Sequence, residues 1–333
     1  MAMPQQEQGD QACIVRLETP GVVEEYLAST PGTRRIANDP LFLGVDYTSA
    51  LRQSCADVLR ADSFGLVECE THVLNILRGG LNFGLREALH LAFGWNRHAT
   101  DFLSAQRTNG ADGWRIDESS YRKLSFAGDV SLVLGDVVAT GTSLRHALGV
   151  TIERIAQQGA ALRRIVLFTF GGERASDVLA EADGRCRRIF PGYDRSVVVY
   201  FEGKFRMATE ETPLTIRIPE TDLVRRDATL APEFVESQYE DPAFPIERCA
   251  IYDAGSRAFL PDEHLADVAD YWRQTLALAR TGVTYAQLLG ERFPGLDTRR
   301  FGSVDLIALC EHRLAAIKDL VGLKRDWTKE GLR

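Results

Sequence analysis

A chain of 333 residues with 45% hydrophobic content can build a full core without disulfide or metal staples. Its 39 Lys and Arg stand against 47 Asp and Glu, a net charge of −8, which argues against nucleic acid as the main partner but leaves room for a local basic pocket. Six cysteines, at 13, 55, 69, 186, 249 and 310, show no CxxC or close Cys/His spacing, so they indicate neither a disulfide framework nor a zinc centre and fit reduced cytoplasmic thiols.

The opening "MAMPQQEQGDQA" is polar, and no uncharged apolar run approaches ~18 residues, which points away from secretion and from membrane spanning. Residues 1–40 mix Gln, Gly, Pro and Thr with short apolar pieces and read as an N-terminal arm outside the core. From Tyr47 to Arg60, Leu51, Cys55, Val58 and Leu59 fall near helical spacing, which predicts a helix packed on a sheet. "HVLNILRGGLNFGLREALHLAF" then predicts a strand to Leu77, a tight "RGG" turn and a helix from Phe83 to Phe93. Residues 105–125 carry no sustained apolar period and read as a long surface loop or hairpin.

"SLVLGDVVATGTSLRHAL", from Ser131, belongs to a predicted strand over 130–135, a loop over 136–143 and a helix over 144–157 closed by Gly159. "RRIVLFTFGG" supplies a further buried strand, and "SVVVYFEGKFRMA" an edge strand or hairpin. Strands interleaved with helices predict an α/β fold with a doubly wound parallel sheet, its core spanning 41–205. Residues 206–333 shift first to Pro, Glu, Thr and Arg and then back to helical patterning, and are expected to form an added C-terminal α+β region, a candidate hood with helices. Within it, Tyr271 and Trp272 read as core or interface, and the acidic run after Pro261 as the first turn of a helix.

The chemistry concentrates in "ATGTS". A parallel strand delivers it to the carboxyl edge of the sheet, where open α/β folds bind ligands. Backbone N–H groups, a helix dipole and three hydroxyls form an anion cradle suited to a phosphate monoester, and Gly141 lets the backbone come close. The GxxxxGK[ST] and GxGxxG spacings are both absent; the alternative is a generic βα turn capped by Ser or Thr. His146 reads as a helix-surface residue, and the remaining histidines lack metal-ligand spacing.

The whole run "VLGDVVATGTSL" resembles the 5-phosphoribosyl-1-pyrophosphate (PRPP) motif of type I phosphoribosyltransferases. The resemblance implies that Ala139, Thr140, Gly141, Thr142 and Ser143 hold the 5′-phosphate. It also implies that an acidic pair before the loop contacts the ribose hydroxyls; Asp136 is one acid, and Gly135 stands where the other would be. Within the family, uracil phosphoribosyltransferases are most similar. "NILRGGLNFG" matches their pyrophosphate segment, which gives that role to Arg78, Gly79 and Gly80. "SAQR" with "IDESSYRKL" is similar to their mobile loop, placing Arg107 and Lys123 over the pyrophosphate, and "YDAGSRAF" matches a base-site segment through Asp253, Ala254 and Gly255. The resemblance further implies Asp136, Arg78 and Arg107 as catalytic residues, Mg²⁺ carried by PRPP rather than by a protein cluster, and a homo-oligomer such as a homodimer. The expected activity is transfer of phosphoribose to a uracil-like base or related nitrogen heterocycle in nucleotide salvage. The alternative is a non-catalytic PRPP- or nucleotide-binding regulator of the same fold.

Overall fold

Strands that are buried on both faces read as continuous apolar runs, and four such runs set the architecture. The computed structural model describes residues 12–77, 79–110, 113–118, 121–216, 223–248 and 261–330. In chain order the elements are β1 (Cys13–Arg16), β2 (Val23–Ser29), α1 (Pro31–Asn38), α2 (Gly44–Ala61), β3 (Thr71–Leu77), α3 (Leu85–Phe93), β4 (Ala99–Ser104), β5 (Gln106–Gly110), β6 (Gly113–Glu118) and β7 (Arg122–Lys123). They continue with β8 (Asp129–Val138), α4 (Thr142–Gln157), β9 (Ala161–Gly172), α5 (Arg174–Ile189), β10 (Arg195–Met207), β11 (Leu223–Leu230), α6 (Pro232–Ser237), α7 (Pro261–Arg280), α8 (Tyr285–Arg292) and α9 (Leu306–Glu330).

One sheet runs β1-β2-β10-β9-β8-β3-β4-β7, with β11 also paired to β10. The six strands from β2 to β4 are mutually parallel, and β1, β7 and β11 join antiparallel. Alternation along the strands divides the core into two layers. Val73, Val133, Phe168 and Val199 meet Leu51, Val58, Phe83 and Leu89 beneath α2 and α3. Leu74, Leu132, Leu134, Ile165 and Val198 meet Leu144, Leu148, Ile152 and Val178 beneath α4 and α5. Helices on both faces of a parallel sheet make the fold doubly wound, as expected.

A third cluster joins α7, α8 and α9 around Trp272, Tyr271, Leu289 and Cys310, with Leu43 and Leu230 bridging to the sheet domain. Trp272 and Tyr271 are core residues. Asp262 and Glu263 occupy the first turn of α7, and buried His264 there donates from Nε2 to the Pro40 carbonyl at 2.7 Å.

The structure corrects several sequence expectations. Residues 13–38 are not an arm outside the core, because β2 lies inside the sheet, parallel to β10 from Val23↔Ser196 to Ala28↔Phe201. Its Glu24-Glu25 pair breaks the apolar pattern, and buried Glu25 is neutralised by Lys204, whose Nζ lies 2.9 Å away. β10 is not an edge strand: β9 flanks one side, and β2 and then β11 flank the other. A boundary at residue 205 would fall within it. β8 does not stop at residue 135 but runs to Val138, since β9 offers partners as far as Val138↔Gly171. The 105–125 segment is a hairpin, one of the two forms expected, made of β5 and β6 and followed by the short strand β7.

Candidate functional site

The turn that carries the hydroxyls has shrunk to Ala139-Thr140-Gly141, since Asp136 is still on β8 opposite Thr169 and α4 begins at Thr142. Gly141 caps α4 with φ +76, a left-handed conformation that favours glycine. A Cβ there would stand 2.9 Å from Val178 Cγ2 and 3.9 Å from Arg174 Cβ, so the turn lies directly on the first turns of α5. No side chain caps α4. The amides of Thr142, Ser143 and Leu144 therefore point out of a 16-residue helix without an acceptor in the helix itself. Thr140 Oγ1 and Thr142 Oγ1 are 3.2 Å apart, and Ala139, Thr140, Thr142 and Ser143 are all half-buried.

The neighbouring strand brings a second turn to the same edge. β3 pairs with β8 through Leu74↔Leu134, and Gly79–Phe83 then forms a 3-10 turn that folds back over the sheet. A Cβ on Gly80 would be 3.2 Å from Asn75 Cα and 3.3 Å from the Gly135 carbonyl oxygen, a tight fit that a side chain could enter only if the neighbouring backbone shifted by a few tenths of an ångström. The fully buried Phe83 ring fills the space beside Gly135, where a Cβ would come within 2.2 Å of Phe83 Cγ. An acidic side chain cannot occupy position 135 with that ring in place.

Asp136, the Ala139–Ser143 segment and Gly79–Gly80 thus meet at one sheet edge. Arg107 is on β5, paired in register with Ile116, and the β5–β6 hairpin packs on α4, the helix that follows the cradle. Lys123 is exposed on β7 and pairs with Phe102 at the sheet margin, three strands from β8, or roughly 15 Å. Arg78, Asp253, Ala254 and Gly255 lie outside the described residues. Half-buried His146 sits on α4; burial and the nearby charge of Arg122 hold its imidazole below the ordinary range, which favours the neutral form.

Two buried polar clusters at the carboxyl edge escape motif reading. Val138, Gly171 and Lys204 are in register across β8, β9 and β10, which places Lys204 roughly 10 Å from the end of β8. Its ammonium bonds Glu25, whose Oε1 also accepts from Ser176 Oγ at 2.5 Å, and that hydroxyl lies 2.6 Å from Tyr200 OH. Burial pushes the Tyr200 phenol well above its usual range. Close by on β10, Glu202 has φ +64 within a register shift between Tyr200 and Lys204. Its buried carboxyl accepts from Ser29 Oγ at 2.7 Å, from the Thr30 amide at 3.1 Å and from the Thr33 hydroxyl. The sequence signal for both clusters is the pair of charges, Glu202 and Lys204, inside the otherwise apolar "VVVYFEGKF".

Burial pushes the Glu202 carboxyl up to about 7, against the opposing pull of its Thr33 and Ser29 hydrogen bonds and the Arg34 charge. A carboxyl whose pKa is higher folded than unfolded gives its full stabilisation at low pH, and that contribution is lost as pH rises from about 4.5 through about 7. Glu202→Gln should remove this slope. Urea denaturation of both proteins across the window checks it, and a constant difference between them would rule the titration out.

No protein-family model and no curated protein sequence matches the chain. Among solved structures, a purine phosphoribosyltransferase from Pyrococcus horikoshii Ot3 aligns over 51% of this chain and 96% of its own, at 17% identity and a TM-score of 0.27. A hypoxanthine phosphoribosyltransferase from Staphylococcus aureus aligns over 56% and 89%, at 15% identity and a TM-score of 0.29. A hypoxanthine-guanine phosphoribosyltransferase from Bacillus anthracis aligns over 37% and 67%, at 18% identity and a TM-score of 0.26. Among the described residues, no helix is long and apolar enough to cross a membrane.

Proposed function

We propose that the chain binds PRPP and transfers its phosphoribosyl group to a nucleobase, uracil-like, or to a related nitrogen heterocycle, releasing pyrophosphate. The observation that carries this reading is the uncapped N-terminus of α4 behind the left-handed Gly141, set at the carboxyl edge beside the Gly79–Gly80 turn. A helix end with free amides, a favourable dipole and flanking Thr and Ser hydroxyls is a phosphate site. The adjacent glycine turn, which tolerates close backbone approach, suits the second anion of the same substrate.

In the reaction the bond from ribose C1 to the pyrophosphate oxygen breaks, its electron pair leaves with pyrophosphate, and a ring nitrogen of the acceptor bonds C1 and loses its proton to solvent. Positive charge develops on the sugar and negative charge on the leaving group, so catalysis is positioning and electrostatics. The amides from Thr142 to Leu144 would hold the 5′-phosphate, and Asp136 would orient a sugar hydroxyl. Arg78, with Gly79 and Gly80, and Arg107 on the hairpin would meet the pyrophosphate, and the hairpin would exclude water that otherwise hydrolyses PRPP. Mg²⁺ suits this arrangement, because a hard cation favours phosphate oxygens plus one or two carboxylates, and half-buried Asp136 offers such an oxygen at the strand end. When bound with PRPP, it would offset charge on the leaving pyrophosphate.

A second reading, a PRPP- or nucleotide-binding regulator without turnover, is favoured by one observation: Phe83 occupies the space of a second acid beside Gly135. Pyrophosphate release measured with PRPP, Mg²⁺ and a panel of bases separates the two. Release with at least one base is expected; PRPP binding without release from any base would select the regulator. Gly141→Val forces a β-branched residue into a left-handed conformation against Val178, and should weaken PRPP binding about tenfold or more by displacing the cradle amides. Isothermal titration of both proteins checks this, and unchanged affinity would remove the cradle from the site.

A further inference from the structure

We infer that the groove between the C-terminal half of α4 and β7 is a ligand site of its own, suited to a small molecule with an apolar body and one anionic group, a carboxylate or a phosphate. The inference goes beyond the sugar-phosphate reading and does not depend on it.

The groove has a volume of about 250 Å³ and is lined by Arg122, Leu124, Val150, Glu153, Arg154 and Gln157. Val150, Glu153, Arg154 and Gln157 recur at helical spacing and form one stripe along α4. The opposite wall is Arg122 of β7 with Leu124 just after it, where the chain returns to the sheet margin from the β5–β6 hairpin. Val150 stands eight residues after Thr142, which puts the near end of the groove roughly 12 Å along the helix from the phosphate cradle. A ligand of this size does not fill both.

The lining sorts into a floor and a rim. Leu124 and Val150 are half-buried and pack on the core layer beneath α4 and α5, so the floor is apolar. Arg122 and Arg154 bring guanidiniums from facing walls, one from the sheet margin and one from the helix, and Gln157 adds an amide. The carboxylate in the lining is already paired, since Glu153 Oε1 accepts from Arg185 Nη2 of α5 at 2.7 Å. The rim is therefore cationic. Arginine forks match carboxylate and phosphate alike, and a floor of aliphatic side chains beneath them selects a ligand that carries both parts. The volume lies below the roughly 300–1,000 Å³ of drug-sized sites, which limits the body to a single ring or a short chain.

The test is an NMR titration of the full chain with benzoate, phenyl phosphate and benzyl alcohol, probes that share one ring and differ in charge. Saturable binding of at least one anion is expected, about tenfold or more tighter than that of the neutral alcohol. Arg122→Ala and Arg154→Ala, both at exposed positions, should each weaken that anion about tenfold, the loss of one charge-assisted hydrogen bond, and Gly141→Val should leave it within about threefold. Benzoate bound without phenyl phosphate would assign a carboxylate ligand, and the reverse a phosphate. No saturable binding of either anion at about 10 mM, equal binding of the alcohol, or anion binding unmoved by both arginine variants would overturn the inference. Phenyl phosphate lost in Gly141→Val but kept in both arginine variants would also overturn it, by placing the anion in the cradle, and would support the proposed function. PRPP binding takes no part in these outcomes, so the groove and the proposed function fail separately.

Discussion

Phe83→Ala should lose about 3–5 kcal/mol of unfolding free energy, the range for emptying a large buried aromatic site. The ring is fully buried, and it touches the two backbones that frame the candidate site: it packs on Gly135 of β8 and closes the turn begun by Gly79 and Gly80. Gly135→Ala attacks the same contact from the other side. Its methyl would collide with the ring, and overpacking of this kind costs about 1–3 kcal/mol. In the Phe83→Ala background the clash with the ring is gone and only the 2.7 Å approach to the Cβ of residue 83 remains, so the double variant should be more stable than the sum of the two losses implies. Urea denaturation of the four proteins measures the coupling. Strict additivity would mean that the ring and the glycine do not meet.

Glu247→Ala is expected to be as damaging, about 3–5 kcal/mol, because it removes one partner of a buried ion pair. The Glu247 carboxylate accepts from Trp272 Nε1 at 2.6 Å and from Arg313 Nη2 at 3.0 Å, and Arg313 also reaches Asp39 at 3.0 Å. Side-chain exposure is 9% for Arg313 and 1% for Glu247, so water cannot replace the lost contact. Burial pushes the carboxyl up while Arg313 and the indole N–H pull it back, the balance of a charge kept inside only by its neighbours. The same guanidinium ties α9 to the residue that follows α1, so the variant should also loosen the C-terminal helices from the sheet domain. Thermal unfolding checks both effects, and a loss under about 1 kcal/mol would mean that the pair is solvated.

The parts of the fold legible in the sequence are those whose signal is local. "SLVLGDVV" announces a doubly buried strand, Gly141 and Gly159 punctuate α4, and the spacing of Leu51, Cys55, Val58 and Leu59 places the buried face of α2. What stayed hidden depends on contacts distant in sequence. β2 carries two consecutive glutamates and becomes a core strand only because Lys204 waits some 180 residues away. The end of β8 depends on how far β9 extends, so Asp136 passed for a loop residue. Gly135 is plain in the sequence, but the Phe83 ring packed against it has no local signature.

β10 hydrogen-bonds β2 through Ser196–Phe201 and β11 through Gly203–Met207. This single strand therefore zips β2, from the first part of the chain, and β11, which follows it in sequence, into one cooperative unit, and its closure requires partners separated by more than 170 residues, as in the Ser29–Glu202 contact. Long-range pairing of this kind is entropically late in folding. A fragment ending at residue 205 would sever the seam and leave the exit half of β10 as a bare apolar edge, a template for self-association rather than a smaller working domain.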